Sequence, residues 1–413
     1  MKWQSVFTLG LFYLLFVALL GGCAAPDPIA LEGPVSCIPA NFEAGQAGSK
    51  WNSAEIASIC SLWIGNLPDL PPDPTNLYAD NEAAATFGQR LFFDTQFSAD
   101  GDISCGTCHK AEHNFTDGRS TPIGNGPRKT QTIVGTAYSP WMFWDGHKDS
   151  QWAQALEPWE SPVEHKGNRN DFAAIIATDD AYRAEYESIF GALPDHTSAD
   201  GATEIFVNMG KAVAAYERLI MPGPANFDAY AQALLANDEP TLSRVFNEDE
   251  VAGLGVFINQ GECLNCHNDP LFTNNAFHNT AVFGFVDEGR LIGAQSVLDD
   301  EFNCRSEWSD DSSSCAELDF IRTSGIELKG AFRTPTLRNV AEGAPYTHTG
   351  GFADLASILE HYNQGGVGLV IGNFGHNELN ALNLSAEQLG QLEAFLRTLS
   401  GGYSADEKWL AAP

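Results

Sequence analysis

Two short segments of the sequence each combine two cysteines and a histidine at a fixed spacing. They are Cys105-Gly106-Thr107-Cys108-His109 and Cys263-Leu264-Asn265-Cys266-His267. Two thiols at this spacing can add covalently across the vinyl groups of a haem, and the adjacent imidazole then reaches the iron. The pattern therefore predicts two haem c groups, with His109 and His267 as the proximal iron ligands.

A zinc site is the alternative interpretation of the two cysteine pairs, since zinc proteins also use Cys-x-x-Cys. The pairs lie about 158 residues apart, which is far more than the usual spacing of zinc-binding pairs. Each pair is also followed directly by a histidine. These two features favour haem.

The beginning of the chain has the features of an export signal. Lys2 precedes an apolar run, Val6–Leu20, that is too short to span a bilayer comfortably. The run ends in Leu20-Gly21-Gly22-Cys23, which resembles a bacterial lipobox. We therefore expect residues 1–22 to be a lipoprotein signal peptide and the mature protein to lie in the periplasm, lipid-anchored through Cys23. An ordinary signal peptide, with Cys23 incidental, is the alternative.

The charge of the chain limits its partners. With 54 acidic and 22 basic side chains, the formal net charge is −32, which excludes a nucleic-acid binder and favours a small or basic partner. Contact with the membrane is expected only through the lipid anchor. Ala24, rather than Asp, follows the cysteine, which predicts the outer membrane in hosts that follow the enterobacterial sorting rule.

Four cysteines remain after the lipobox and the two haem motifs. They form two pairs that are close in sequence, Cys37 with Cys60 and Cys304 with Cys315, in polar segments typical of loops. In an oxidising compartment these pairs predict two disulfides that close surface loops. Free buried thiols are the alternative.

The hydrophobic periodicity predicts a mainly α protein with long loops and few strands. We expect a linker and disulfide-pinned N-terminal extension over residues 23–75, followed by haem domains at 76–240 and 241–413. Asp299–Ser314 is interpreted as a solvated excursion. Helical patterns are found at Glu82–Phe92, Asp171–Phe190, Ala202–Leu219, Phe227–Leu235, Leu355–Tyr362 and Ser385–Leu399, and in the segment before the second motif.

Longer segments, from about Ala83 to Leu399, resemble the bacterial di-haem cytochrome c peroxidase and MauG-type superfamily. The resemblance implies an N-terminal peroxidatic haem and a C-terminal electron-transfer haem, each in a cytochrome-c-like helical domain. The segments that carry it are Leu91–Thr95, Phe143–Gly146, Phe332–Val340 and Ala344–His348.

The same resemblance implies three catalytic side chains. Gln154 and Glu164 match the residues that line the distal face of the peroxidatic haem, where a carboxylate can take a proton from bound H2O2 and return it to the departing oxygen. Trp144 matches the indole that the family places between the haems. Without the resemblance, Glu164 would be a surface acid and Trp144 a packing residue.

One departure from the reductively activated peroxidases concerns the first haem. Those enzymes carry a removable distal His in the loop that corresponds to Ile123–Arg128, whereas this chain has Asn125 there. Because Asn is a poor iron ligand, we expect the first haem to be five-coordinate and open in the ferric state.

A second departure concerns the other haem. The peroxidases supply an axial Met at a position where this chain has Tyr362. MauG-type enzymes also use a Tyr there. A phenolate ligand would stabilise ferric and higher states, whereas Met favours ferrous iron. Tyr362 also continues the apolar face of Leu355, Ile358 and Leu359 and could be a core residue. His361 is the competing ligand.

Calcium is the remaining cofactor that the resemblance implies. Gly343 and Pro345 match positions whose carbonyl oxygens bind the ion in the family. Lys129 stands where the family has an Asn ligand, which argues against calcium.

The resemblance implies a peroxidase that reduces H2O2 to water at the first haem. Electrons would arrive through the second haem from a cytochrome c or a cupredoxin. The first alternative is MauG-like oxidation of an aromatic residue on a partner protein. The second is a di-haem electron carrier without enzymatic activity.

Overall fold

Two pairs of packed helices flank the haem-binding motifs. Helix α2 (Glu82–Phe93) precedes the first motif and packs along α7 (Ala199–Glu217), while α10 (Glu248–Ile258) precedes the second and packs along α14 (Ala386–Arg397). Both crossings need a glycine: a Cβ on Gly88 would lie 1.9 Å from the carbonyl oxygen of Ala212, and one on Gly253 would lie 1.9 Å from that of Gln391. The two motifs therefore sit in similar helical settings.

The structure is a computed structural model that describes residues 50–124, 126–282, 287–366 and 375–413. Within these ranges it is mainly helical, which confirms the predicted fold class. The strands are β1 (Phe277–His278) and β2 (Phe332–Arg333), paired antiparallel with Phe277 opposite Arg333. The other helices are α1 (Ser53–Leu62), α3 (Cys105–Cys108), α4 (Gln151–Glu160), α5 (Arg169–Thr178), α6 (Asp180–Phe190), α8 (Asn226–Ala236), α9 (Glu239–Val245), α11 (Arg290–Asp299), α12 (Ala316–Asp319) and α13 (Leu355–Asn363).

Capping residues set several helix boundaries. Asn81 accepts hydrogen bonds from two main-chain N–H groups at the start of α2, and Asp354 begins α13 with a capping box. The helical run predicted from Asp171 to Phe190 is two helices. It breaks at Asp179, whose extended main chain ends α5 and whose carboxylate caps α6.

The buried apolar residues form two main cores. The first contains the helices around the first motif, with Trp152, Trp159 and Phe206 among its fully buried members. The second contains α8, α10, α13 and α14, with Phe257 and Phe395 fully packed between them. The predicted domain boundaries at residues 75 and 240 stay predictions.

Each end of the described chain packs against the core that is farther from it in sequence. Near the N-terminal end, Trp51 donates to the Tyr230 hydroxyl at 2.8 Å and α1 joins the second core. Near the C-terminus, the Tyr403 hydroxyl donates to the carbonyl oxygen of Ala111 at 2.7 Å, and Trp409 belongs to the first core. The two ends thus tie together the regions that carry the two motifs.

The predicted disulfide between Cys304 and Cys315 is present, and it closes the excursion after α11. Cys23, Cys37 and Asn125 lie outside the described residues, as does the proposed signal peptide, so the predictions that rest on them stay predictions. Within the described ranges, no helix is both long and apolar enough to cross a membrane.

Candidate functional site

The first haem-binding motif forms a short helix that ends at its histidine. Helix α3 contains both cysteines, and Gly106 packs against the ring of Phe93. The Nδ1 atom of His109 lies 2.9 Å from the carbonyl oxygen of Phe115. This contact fixes the tautomer with the proton on Nδ1, which leaves the lone pair of Nε2 available for iron.

The second motif repeats this arrangement. Its cysteines lie on the turn that follows α10, and Nδ1 of His267 lies 3.0 Å from the carbonyl oxygen of Phe272. Burial lowers the pKa of His267 to about 4, so the ring is neutral, as a metal ligand must be.

The carbonyl groups that hold the two histidines belong to residues in the same strained conformation. Phe115 and Phe272 have φ angles of 53° and 54°, which are rare for a bulky side chain. Both rings are fully buried, and packing thus holds the main chain in place. Each is followed by a threonine, Thr116 or Thr273, so a repeated Phe-Thr pair was the missed sequence signal for this part of the site.

Glu164 lies in the turn that follows α4, close to the first motif. Burial raises its pKa, partly opposed by a hydrogen bond with Ser161. Its charge also contributes, after burial, to the raised pKa values of the Cys105 and Cys108 thiols. The predicted distal carboxylate is therefore a half-buried acid within electrostatic range of both haem-attachment cysteines.

Gly124 belongs to the loop from which an open first haem was predicted, and it packs against the turn that holds Glu164. Gly124, at φ 91°, approaches so closely that a Cβ there would lie 1.9 Å from the carbonyl oxygen of Val163. Gly124 and Val163, which directly precede Asn125 and Glu164 in sequence, are thus in contact.

Gln154 lies on α4, ten residues before Glu164, and is half-buried. Its side-chain amide makes no hydrogen bond to another residue in the described part of the chain, so both its donor and its acceptor remain available. The helix itself was not predicted, because Pro158 interrupts the helical pattern in its last turn.

Sequence reasoning also missed a charged network beside Glu164. His147 Nδ1 lies 2.5 Å from Asp145, and its Nε2 lies 3.1 Å from Glu157. Burial lowers the pKa of His147, but these hydrogen bonds outweigh it and raise the pKa to about 9. His147 is therefore a cation at neutral pH, and its charge acts on Glu164.

A cavity of about 480 Å³ opens beside the second motif. Tyr362 lines it, and burial together with the charges of Cys266 and Cys263 raises the pKa of this phenol to about 12. His361 does not line it, and its Nε2 lies 2.8 Å from the carbonyl oxygen of Thr280. Of the two candidate ligands for the second haem, the structure thus brings Tyr362 to the motif. The residues that line the cavity also include Trp144, Lys129, Phe332, His348, Gly343 and Pro345.

Trp144 reaches this cavity from the region of the first motif. Its Nε1 donates to the carbonyl oxygen of Lys129 at 2.8 Å, and its main-chain carbonyl accepts from Arg333 at 2.7 Å. The ring packs edge-on against His348, with 6.2 Å between centroids. These contacts fix the orientation of an indole between the segments that carry the two motifs.

The residues at both motifs fit haem c. Each motif provides two thiols that are not in a disulfide and a neutral histidine whose Nδ1 is held by a main-chain carbonyl, and the second also has a cavity with Tyr362 on its wall. The zinc alternative lacks its ligand cluster: no group of three or more His, Cys, Asp or Glu able to hold a metal occurs in residues 50–124, 126–282, 287–366 and 375–413.

Known proteins share this organisation. The family model for di-haem cytochrome c peroxidases matches residues 82–234. The methylamine utilization protein MauG of Paracoccus denitrificans is 30% identical over 321 residues, which cover 69% of this chain and 75% of that protein. Cytochrome c551 peroxidase of Nitrosomonas europaea is 26% identical over 327 residues, covering 78% and 81%.

The fold is shared as well. The crystal structure of the diheme peroxidase BthA from Burkholderia thailandensis matches with a TM-score of 0.62 at 20% identity, covering 82% of this chain and 90% of that one. Most of the chain is thus covered by matches to MauG and cytochrome c peroxidase, and its fold is that of a diheme peroxidase. The chain belongs to the family of di-haem cytochrome c peroxidases and MauG proteins, and it carries two covalently bound haem c groups.

Proposed function

We propose that this protein reduces H2O2 to water at its N-terminal haem, with electrons that enter through its C-terminal haem. Each turnover takes two electrons from the donor and two protons, and yields two water molecules. The haem groups supply the iron that binds peroxide and the redox equivalents that reduce it. The protein supplies the residues that bind the groups, move the protons and orient the electron path.

Glu164 is the group that moves the proton. The observation that carries this proposal is its position: a half-buried carboxyl with a raised pKa, within electrostatic range of Cys105 and Cys108. A carboxyl in such a place can accept a proton from one oxygen of peroxide and donate it to the oxygen that leaves. Gln154, with its uncommitted amide, holds the peroxide by a hydrogen bond.

Trp144 and Tyr362 serve the electron path. Trp144 is fixed next to the cavity of the second motif by one hydrogen bond from its ring nitrogen and another to its main-chain carbonyl oxygen. Tyr362 and His267 both line that cavity and would together hold the second haem. The donor is a small redox protein, a cytochrome c or a cupredoxin, and the charge of −32 favours one with a basic surface. The protein works in the periplasm, anchored by lipid at Cys23.

MauG-like oxidation of an aromatic residue on a partner protein is the second candidate function. Tyr362 favours it, because an anionic oxygen ligand stabilises the oxidised states of the second haem that such a reaction uses. The two candidates share the first steps at Glu164 and differ in the source of the electrons.

The test uses Glu164→Gln with Glu160→Gln as its matched control. Glu160 lies four residues earlier, at the end of α4, where it pairs with Arg169 at 2.7 Å. We expect Glu164→Gln to keep both haem spectra and to slow the reaction with H2O2 by about 10²–10⁴-fold, while Glu160→Gln reacts at the wild-type rate. Equal rates in all three proteins would contradict the role of Glu164. Turnover with a reduced cytochrome c or cupredoxin supports the peroxidase, and oxidation of a partner's side chain without such a donor supports the alternative.

A further inference from the structure

Lys129 is a cation buried between the two haem-binding motifs. The residue is 6% exposed and lines the cavity beside the second motif. Its main-chain N–H donates to the carbonyl oxygen of His348 at 2.8 Å, and its own carbonyl accepts from Trp144 at 2.8 Å. Two other cavity residues therefore fix its main chain on both sides.

The protein provides little compensation for this charge. The Nζ atom has one hydrogen bond, a long one of 3.4 Å to the carbonyl oxygen of Thr130. No carboxylate in the described ranges forms an ion pair with it, and Asp117 attracts it from farther away. A buried ammonium group without a partner is costly. Haem c carries two propionate carboxylates, and a cation facing a haem cavity is suited to pair with such groups.

The donor set of this region does not fit a calcium ion. Calcium takes about six to eight oxygen ligands. Gly343 and Pro345 line the cavity, but Lys129, which stands where the resemblance places an Asn ligand, presents three N–H donors and no acceptor. The carboxylates on the cavity wall are those of Glu262 and Glu378, and Glu378 is already bound to His278 at 2.6 Å. A divalent cation at this place would also be repelled by the ammonium group.

We propose that the ammonium group of Lys129 replaces the calcium ion between the two haem groups, so that this protein needs no calcium. Burial lowers the pKa of Lys129 to about 8, so the group is mainly a cation at neutral pH. It lies within electrostatic range of the first motif, since it is among the charges that act on His109, while its side chain faces the cavity of the second motif. One side chain thereby supplies the cation for both haem sites.

The first test uses the wild-type protein with both haems attached. After dialysis against EGTA, we expect no stoichiometric calcium by elemental analysis. We also expect the diferric optical and EPR spectra and the thermal unfolding midpoint to be the same in EGTA and in added CaCl2. One tightly bound calcium per chain, with spectra that change when EGTA removes it, would overturn the proposal.

The second test converts the site. In Lys129→Asn the side chain offers a carbonyl oxygen, so we expect it to bind one calcium per chain and to respond to CaCl2 with a higher unfolding midpoint and a wild-type spectrum. Lys129→Met offers neither charge nor ligand, so we expect altered haem potentials that calcium does not restore. Lys211→Met is the control, because it removes a buried lysine that pairs with Asp310 at 2.8 Å outside the cavity.

The variants can also contradict the proposal. Lys129→Met with wild-type potentials and spectra would show that the charge has no role at the haem sites. If that variant fails to fold, the calcium measurement on the wild-type protein still decides the question. None of these readouts uses peroxide turnover, so the outcome is independent of the proposed function.

Discussion

The imidazole of His109 is fixed by the main chain of Phe115, whose carbonyl oxygen lies 2.9 Å from Nδ1. The same relationship links His267 and Phe272 at 3.0 Å. In both pairs the acceptor residue has a positive φ angle and a fully buried ring. The protein thus uses apolar packing to hold a strained main chain, and the strained main chain to orient a haem ligand.

Truncation of either ring should loosen its own haem ligand. We expect Phe115→Ala and Phe272→Ala each to cost about 3–5 kcal/mol in the free energy of unfolding, because each removes a fully buried ring. Phe115→Ala should change the EPR signal of the first haem, and Phe272→Ala that of the second. Denaturant unfolding and EPR of the diferric variants measure both effects. If both variants altered the same haem, or neither, the link between ring packing and ligand orientation would be wrong.

Substitutions of the adjacent residues Tyr362 and His361 should differ in their effect on the EPR spectrum of the second haem. We proposed that Tyr362 binds the second haem iron; Tyr362→Phe removes that ligand, so we expect a low-spin ferric signal of the second haem to become high-spin. His361→Gln should keep the wild-type EPR spectrum, because His361 contacts the carbonyl oxygen of Thr280 and does not line the cavity. A spin change in His361→Gln alone would make His361 the ligand.

The charged network beside Glu164 should make stability depend on pH. The pKa of His147 is about 9 in the folded protein, against about 6.5 in an unfolded chain. The folded state therefore holds a proton that the unfolded state releases. The resulting stabilisation is complete below pH 6.5 and is lost as the pH rises through 9.

The His147→Arg variant tests this dependence, because Arg stays charged across the whole range. Between pH 6.5 and 9.5 we expect the free energy of unfolding of the wild-type protein to fall by about 2–3 kcal/mol more than that of the variant. Denaturant titrations at the two pH values give the difference. Parallel pH profiles would mean that His147 is not held as a cation by Asp145 and Glu157.

The buried carboxyl of Glu217 should make the stability of the protein depend on pH, and Glu217→Gln should remove this dependence. This carboxyl is 5% exposed on α7, and burial raises its pKa to about 8, so the folded state retains a proton that the unfolded state loses above about pH 4.5. Stability conferred by the protonated form falls as the pH rises from 4.5 to 8. Glu217→Gln should therefore be more stable than wild type at pH 8 by about 2–4 kcal/mol, and equal to it near pH 4.5. A loss of stability at both pH values would show that the carboxylate has a partner that holds it ionised.

Local sequence patterns were sufficient for much of the helical framework. The predicted helices at Glu82–Phe92, Phe227–Leu235 and Leu355–Tyr362 match the observed ones to within one residue at either end. Each combines a marked apolar face with a clear start or stop signal, and these signals act over a few residues. The pairing of Cys304 with Cys315 was predictable for the same reason, since eleven positions separate the two residues.

Features that depend on distant contacts were not predictable. The packing of Trp51 on Tyr230 and of Tyr403 on Ala111 joins residues that are far apart in sequence and leaves no local pattern. The positive charge of His147 was also not predicted, because its pKa depends on Asp145 and on Glu157, which belongs to another element. At the site, the resemblance predicted roles for Glu164 and Tyr362, while the structure added the partial burial that raises the pKa of the first and the cavity that the second lines and His361 does not.

The most direct test of the account is a titration of the diferric protein with stoichiometric H2O2 in the absence of reductant, followed by optical and EPR spectroscopy. The sequence predicts an open first haem, with Asn125 where the resemblance places a removable distal histidine, so we expect the ferric signals to decay promptly in the wild-type protein and slowly in Glu164→Gln. A wild-type protein that stays unchanged until one haem has been reduced would contradict the open first site, and with it the central claim.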